Sequence, residues 1–271
     1  MPDFRAYAPA VSAEAREILL GADESHHLVA VNRCGRGDPV IAFDGRGREW
    51  ITECADPSRS GAVLTVKSTR QAAPLPCALT LAQALPKGAV MDEIVRQATE
   101  IGAARIVPLL SERTQVHLEA DRAEKKIEKW RTTAIEAAKQ CGNPWLPEIS
   151  PLQKLDQFLA GWSPISTTAK GAGGDADAHP QTREDHDLRL VASLHHGAVS
   201  LKVILAQYRA KHGRAPQKVL WLVGPEGDFS PAEMTAAVMA GFAPVTLGPL
   251  VLRCDTAAIA ALSMLSCELG N

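Results

Sequence analysis

Apolar residues recur along this chain in two different rhythms. Up to about residue 70 the rhythm is short and strand-like. Val40–Phe43 and Trp50–Cys54 alternate on either side of Asp44-Gly45-Arg46-Gly47, a hairpin signal, and Ala62–Lys67 predicts a further strand. Lys67–Pro76 is polar and then proline-bearing, with little to pack. It reads as a linker, with a domain boundary near residue 73 separating 1–73 from 74–271.

Beyond that point strands alternate with helices. Ala78–Leu85 predicts a buried strand. Met91, Ile94, Val95, Ala98 and Ile101 form one helical stripe closed by Gly102, and Arg105–Leu110 predicts the next strand. A long helix is expected from about Asp121, capped by Asp121 and Glu124, with its stripe at Ile127, Trp130, Ala134, Ala137 and Cys141 and its stop at Gly142-Asn143-Pro144. Thr167–Asp187 is rich in Gly, Ala and Asp without periodicity and reads as a solvated loop. From Leu188 the order is strand, helix (Val199–His212), strand (Val219–Val223), helix from Pro231, strand (Pro244–Leu247) and a last helix from about Thr256. Ser230 and Glu233 make a capping box, with Pro231 at the favoured first helical position. Repeated βα units with apolar strands predict an α/β fold built on a parallel sheet. The last helix is apolar on nearly every side (Ala257, Ala258, Ile259, Ala260, Ala261, Leu262, Met264, Leu265), which points to a homodimer burying part of it.

Composition narrows the function classes. With 271 residues, 46% hydrophobic and 22% charged, and Lys+Arg 29 against Asp+Glu 31, the chain is an ordinary globular protein of net charge −2. Bulk charge announces no nucleic acid. Local patches do exist: residues 33–70 hold seven Lys/Arg against five Asp/Glu, and residues 122–139 hold six against three. Arg33, Arg36, Arg46, Lys125 and Lys129 are the candidate phosphate contacts within them. No apolar run is long enough to cross a membrane and the start lacks a signal-peptide pattern, so a cytoplasmic protein is expected. The six cysteines form no C-x-x-C pair, and His26-His27 and His195-His196 are adjacent residues pointing in different directions. Reduced thiols and no metal site are expected.

In an open α/β sheet, ligands bind beyond the carboxyl ends of strands. Two loops stand there. Gly224-Pro225-Glu226-Gly227-Asp228-Phe229-Ser230 combines two glycines and a proline just before a helix start, a place where backbone can approach a ligand closely. Leu247–Thr256 carries Gly248, Arg253 and Asp255 just before the apolar last helix, where Asp255 could also be a simple N-cap. No P-loop, no strand-to-helix G-x-G-x-x-G, no G-x-S-x-G and no H-E-x-x-H is present.

Together LVGPEGDFSPAE and LGPLVLRCDTAAIAAL resemble the signature of the SPOUT-type 16S rRNA uridine-N3 methyltransferases. The likeness extends to His26-His27-Leu28, Phe43-Asp44-Gly45, MDEIVRQATEIGAARIVPLLSERTQV and KKIEKWRTTAIEAAKQCG, in the expected order over nearly the whole chain. The resemblance implies a small PUA-like β-barrel followed by a parallel-sheet methyltransferase domain tied in a C-terminal trefoil knot. It implies S-adenosylmethionine as cofactor, held by Leu222, Gly224, Pro225, Glu226, Gly227, Leu247, Gly248, Leu252, Arg253 and Thr256, and 16S rRNA or the small ribosomal subunit as partner. Glu226 or Asp255 could take the N3 proton, and Arg253 could stabilise charge on the uracil or bind phosphate. The chain departs from the family's pattern at Leu250 and Asn143, where arginines are usual, at Gln97 and at Asp255. Two alternatives stay open on sequence: a non-catalytic RNA-binding member of the same fold, and an unrelated α/β nucleotide-binding enzyme.

Overall fold

The structure, a computed structural model, describes residues 4–114, 120–162, 186–194 and 197–270. The His195-His196 pair and all but the last two residues of the 167–187 segment lie outside the described residues. The chain divides into two compact units, Met1–Leu75 with Val95–Ala104 and Glu128–Glu148, and Pro76–Ile94 with Arg105–Ile127 and Ile149–Asn271.

In the first unit, β1 (Phe4–Tyr7) and β2 (Glu17–Leu19) precede α1 (Ala22–His26), which runs into a π-helical stretch at His27–Val31. Then come β3 (Pro39–Phe43), β4 (Arg48–Asp56) and β5 (Val63–Gln71). The sheet order is β1-β3-β4-β5-β2, with β1 and β3 parallel and the other pairs antiparallel. The expected hairpin is β3–β4. Its turn is held by Asp44, whose Oδ1 accepts the amides of Arg46 (2.7 Å) and Arg48 (3.0 Å). Gly47 has φ +87°, and a Cβ there would lie 2.3 Å from the Trp145 ring, so no other residue fits. The polar run expected to be a linker is strand as far as Gln71, because its backbone pairs with β4 whatever its side chains are. Inside the unit, Ala6, Ile18, Leu28, Val40, Trp50 and Leu64 make the core, and the buried Glu49 is held between Arg5 (2.9 Å) and Arg70 (2.7 Å).

The second sheet begins with β6 (Ala78–Ala84). Next come α2 (Val90–Ile101), β7 (Arg105–Leu110), α3 (Ala120–Cys141), β8 (Glu148–Ile149), β9 (Gln153–Lys154) and α4 (Leu155–Ala160). After these follow β10 (Leu188–Ala192), β11 (Val199–Ser200), α5 (Leu201–His212), β12 (Lys218–Val223), α6 (Pro231–Met239), β13 (Ala243–Thr246) and α7 (Cys254–Leu269). Its order is β11-β13-β10-β12-β6-β7-β8, with β9 also on β7. The pairs from β11 to β7, and β7 with β9, are parallel. Ala82, Ala84, Leu220 and Leu222 pack with Phe158 and Leu159 of α4 and Met234 of α6. α7 lies against β6 and β12, with Ala258, Ala261, Leu262 and Leu265 fully buried.

Several expectations shift in detail. Asp121 sits inside the first turn of α3, since the helix starts at Ala120, so it is not the cap. Val199–Ser200 is strand on β13, and α5 starts only at Leu201. α7 starts at Cys254 with Arg253 in the N-cap position, so Asp255 is a first-turn residue instead of a cap. Nor is α7 buried all round: Ile259, Ala260 and Met264 remain partly exposed. α1, α4 and the short strands β1, β2, β8, β9 and β11 are too brief to show a periodic pattern. At the end of the supposed solvated loop, Asp187 is firmly tied. Its carboxylate accepts from both Arg214 guanidinium nitrogens (2.7 and 3.2 Å) and from the amides of Gln217 and Lys218. The Arg214 hydrogen bonds hold the Asp187 carboxyl well below the usual carboxylate range.

Candidate functional site

Parallel pairing aligns the strand ends. Val223 of β12 is in register with Gln83 of β6, Leu222 with Val191 of β10, and Ala192 of β10 with Val245 of β13. The segments after β12 and β13 therefore leave the same sheet edge, one strand apart, and those after β6 and β7 leave it alongside. This is the edge where parallel sheets bind ligands.

The Gly224–Ser230 segment folds back on itself. The Asp228 amide donates to the Pro225 carbonyl (3.1 Å), closing a turn in which Gly227 takes φ +85° at the third position. Asp228 also adopts a left-handed φ of +65°, and its carboxylate accepts the next amide, that of Phe229 (2.8 Å). The capping box at Ser230 is complete: Glu233 donates its amide to Ser230 Oγ, and its carboxylate accepts the Ser230 amide (2.9 Å). In the other loop Gly248 has φ +128°, its amide donates to Thr246 Oγ1 (3.2 Å), and Leu250 and Val251 are 72% and 79% exposed. The two loops meet electrostatically at Cys254. Burial pushes its thiol up to about 11, and the nearby Glu226 carboxylate adds to the effect.

Two glycines tell what such a site can hold. At Gly227 and Gly248 a Cβ would find nothing within 4 Å, yet both backbones have positive φ. They are open backbone surfaces, the kind a ligand can lie against. Gly224 is the opposite case. A Cβ there would meet Asp228 Oδ1 at 3.1 Å and the Phe229 amide at 3.3 Å, so this glycine serves the loop's own compactness.

Of the sequence-predicted site residues, Glu226, Gly227, Gly248, Arg253 and Thr256 are exposed at this edge, and Leu247, Leu252 and Asp255 are half-buried. Leu222, Gly224 and Pro225 are buried; the Leu222 side chain belongs to the core and its strand position is paired with Val191 on one side and Ala82 on the other, so Leu222 backs the site instead of facing it. Glu226 is engaged: both its carboxylate oxygens accept the Lys87 amide (3.1 and 3.2 Å). Among the candidate phosphate contacts, Arg33 is exposed in a left-handed conformation (φ +62°), Arg36 pairs with Asp56 at 3.6 Å, and Arg46 stands at the tip of the β3–β4 turn. Lys125 and Lys129 are exposed on α3. Asn143, where an arginine is usual, is a structural residue: its Nδ2 donates to the Thr99 carbonyl (3.3 Å) and its Oδ1 accepts the Trp145 amide (2.9 Å).

Three residues escaped the sequence reading. Gln83 is fully buried. Its Nε2 donates to the carbonyls of Ala84 (2.8 Å) and Gly224 (3.2 Å), while its Oε1 has no described partner. Lys87 supplies the amide that holds Glu226, and Arg113 Nη1 donates to the Gly227 carbonyl. Each lies at or just beyond the end of β6 or β7. The strand-end rule that singled out the segments after β12 and β13 applies equally to these two strands.

The chain is similar to known proteins over nearly its whole length. The RNA methyltransferase domain family matches residues 73–266, and the RNA methyltransferase PUA domain family matches residues 20–67. The ribosomal RNA small subunit methyltransferase E of Synechocystis is 32% identical over 97% of this chain and 77% of its own length. A Legionella pneumophila methyltransferase solved with bound S-adenosylmethionine superposes with a TM-score of 0.79 at 28% identity, covering 98% of this chain and 97% of that one. The Neisseria gonorrhoeae ribosomal RNA small subunit methyltransferase E, solved with the same cofactor, gives 0.78 at 25% identity, covering 97% of both chains.

The packing around Gly224 yields a test. Gly224→Ala crowds Asp228 and Phe229 by a few tenths of an ångström, and the expected loss is about 1–3 kcal/mol. Urea unfolding should show a lower midpoint with an unchanged slope; an unaltered midpoint would mean that the loop has more room than its geometry indicates.

Proposed function

Because the chain belongs to the RNA methyltransferase family, we propose that it moves the methyl group of S-adenosylmethionine to N3 of a uridine in small-subunit 16S ribosomal RNA. The observation that carries this reading is the pair of open glycine backbones, Gly227 and Gly248, on two loops of one parallel-sheet edge. Gly224, Pro225, Glu226, Gly227, Leu247, Gly248, Leu252, Arg253 and Thr256 would hold the cofactor, with the backbone of Leu222 behind them. The buried Gln83 Oε1 beside the first loop, without a partner among the described residues, also suits a site that receives a ligand with hydrogen-bond donors. When bound, S-adenosylmethionine supplies an electrophilic methyl group.

The chain's own residues then have three tasks. They must receive an unpaired or flipped-out uridine, because N3 is otherwise buried in a base pair. They must accept the N3 proton: Asp255, half-buried in the first turn of α7, is the freer carboxylate, since Glu226 is bound to the Lys87 amide. And they must steady the negative charge that builds on the uracil, which suits the exposed Arg253 in the N-cap position of α7. In this reading residues 1–73 hold RNA through Arg33, Arg36 and Arg46, helped by Lys125 and Lys129, and residues 74–271 carry the cofactor in a trefoil-knotted domain. The work is done in the cytoplasm, where ribosomal RNA is modified.

The partly exposed Ile259, Ala260 and Met264 of α7 suit a second copy of the chain, so the active form is proposed to be a C2 homodimer. Sedimentation equilibrium at micromolar concentration should give twice the chain mass, and a clean monomer overturns the dimer.

The cofactor site is tested with Gly248→Val. Its branched side chain fills the open backbone face, and calorimetry should show S-adenosylmethionine affinity down at least tenfold, about 1.4 kcal/mol. Digestion and mass spectrometry of small-subunit rRNA from a deletion strain should find N3-methyluridine restored by the wild-type gene and not by this variant. Unchanged cofactor affinity in the folded variant removes the loop assignment, and no methylated uridine with the wild-type gene removes the activity.

Arg253 is tested separately. Arg253→Ala should lower the single-turnover rate at saturating RNA while cofactor and RNA affinities change little. A full rate with weakened, less salt-dependent RNA binding would make it a phosphate contact instead.

A further inference from the structure

The Gly227 turn is gripped from two neighbouring strand ends. From beyond β6, the Lys87 amide holds the Glu226 side chain. From beyond β7, Arg113 Nη1 holds the Gly227 carbonyl. The second grip leaves a charge over, as does the bond from exposed Arg209 to the Glu268 carbonyl on α7. A guanidinium carries five N–H donors and a full charge, and here its one described partner is a neutral carbonyl. Arg5, Arg70, Arg96, Arg131 and Arg214 each pair with a carboxylate at close range. Arg113 pairs with none among the described residues, and it is exposed.

A simple loop strut would not need a cation, because an amide or hydroxyl bonds a carbonyl equally well. The sulfonium proposed for this loop is itself positive and gains nothing from a guanidinium at Gly227; the cofactor's one anion is the carboxylate of its amino-acid tail, and cofactor affinity in Arg113 variants separates that partner from an RNA phosphate. The charge is compensated only when something anionic arrives from solvent. The Gly227 carbonyl fixes the guanidinium while leaving most of its donors outward, in the fork geometry that suits phosphate oxygens.

We infer that Arg113 is a substrate-binding residue that takes a phosphodiester of the RNA beside the target nucleotide, with Gly227 holding its guanidinium in place. This rests on the reading that the Gly227 loop is the cofactor site of an RNA methyltransferase.

Three variants of the full-length protein separate charge from anchorage. Arg113→Lys keeps the charge, Arg113→Gln keeps a donor for the carbonyl without charge, and Arg113→Ala keeps neither. RNA affinity is read from filter binding of a small-subunit rRNA fragment at two salt concentrations, and cofactor affinity from calorimetry. In the Ala and Gln variants RNA affinity should fall about tenfold at low salt and the salt dependence should weaken by about one counterion, whereas Lys should keep the wild-type salt dependence. Cofactor affinity should stay within about twofold in all three. If Gln restores RNA binding and Lys does not, or if Ala loses cofactor affinity with RNA salt dependence intact, Arg113 is only a strut for the loop and the inference is overturned. Failure of the wild-type protein to bind S-adenosylmethionine or to methylate rRNA would instead remove the underlying functional reading.

Discussion

The site depends on one pairing, the parallel ladder between β6 and β12 in the middle of the large sheet. Leu79, Leu81 and Ala82 on one strand and Val219–Leu222 on the other are fully buried, with α4 and α6 contributing to one face of the sheet and α7 lying against both strands. The strands come from sequence positions about 140 residues apart, so closing this contact carries a considerable entropic cost. Burial of apolar surface on both faces is what offsets it. Once these two strands are in register, their carboxyl ends and those of β7, β10 and β13 share one edge.

From that edge the loops follow by local rules. A turn that needs a positive φ takes glycine at 227, a loop that doubles back on itself takes glycine at 224, and a helix that starts immediately afterwards is capped by Ser230 and Glu233. The face at Gly227 is open, and Glu226 and Gly227 are each held from a different strand end. A rigid, pre-shaped backbone surface suits methyl transfer, in which much of the acceleration comes from holding the donor carbon and the acceptor nitrogen in line. Specialised acid–base machinery is then a lesser need. The site has carboxylates and an arginine but no buried catalytic dyad among its described residues.

Charge is distributed to match. The whole chain is near neutral, yet single cations stand exposed at chosen places: Arg33 in a strained left-handed conformation, Arg46 at a hairpin tip, Arg253 ahead of α7 and Arg113 beyond β7. RNA binding needs phosphate contacts in the right positions and does not need a basic protein. Internal ion pairs such as Arg5–Glu49–Arg70 use up other cations in holding the fold together.

The sequence alone determined the α/β alternation, the β3–β4 hairpin, most long helices and the two glycine-bearing loops, because each is written in local periodicity or turn chemistry. The motifs in those loops also carried the family likeness. α4 was silent and β11 was read as the start of α5, since two to six residues cannot display a period, and helix starts moved by a residue or two because caps are decided by geometry. Tertiary structure alone decided which residues converge on the site. That Gln83 would reach the Gly224 carbonyl, Lys87 the Glu226 carboxylate and Arg113 the Gly227 carbonyl depends on strand order, and strand order is set by burial between segments more than a hundred residues apart. For the same reason Glu226, as plausible a base as Asp255 in the sequence, is bound to a backbone amide in the fold while Asp255 lies in the first turn of α7.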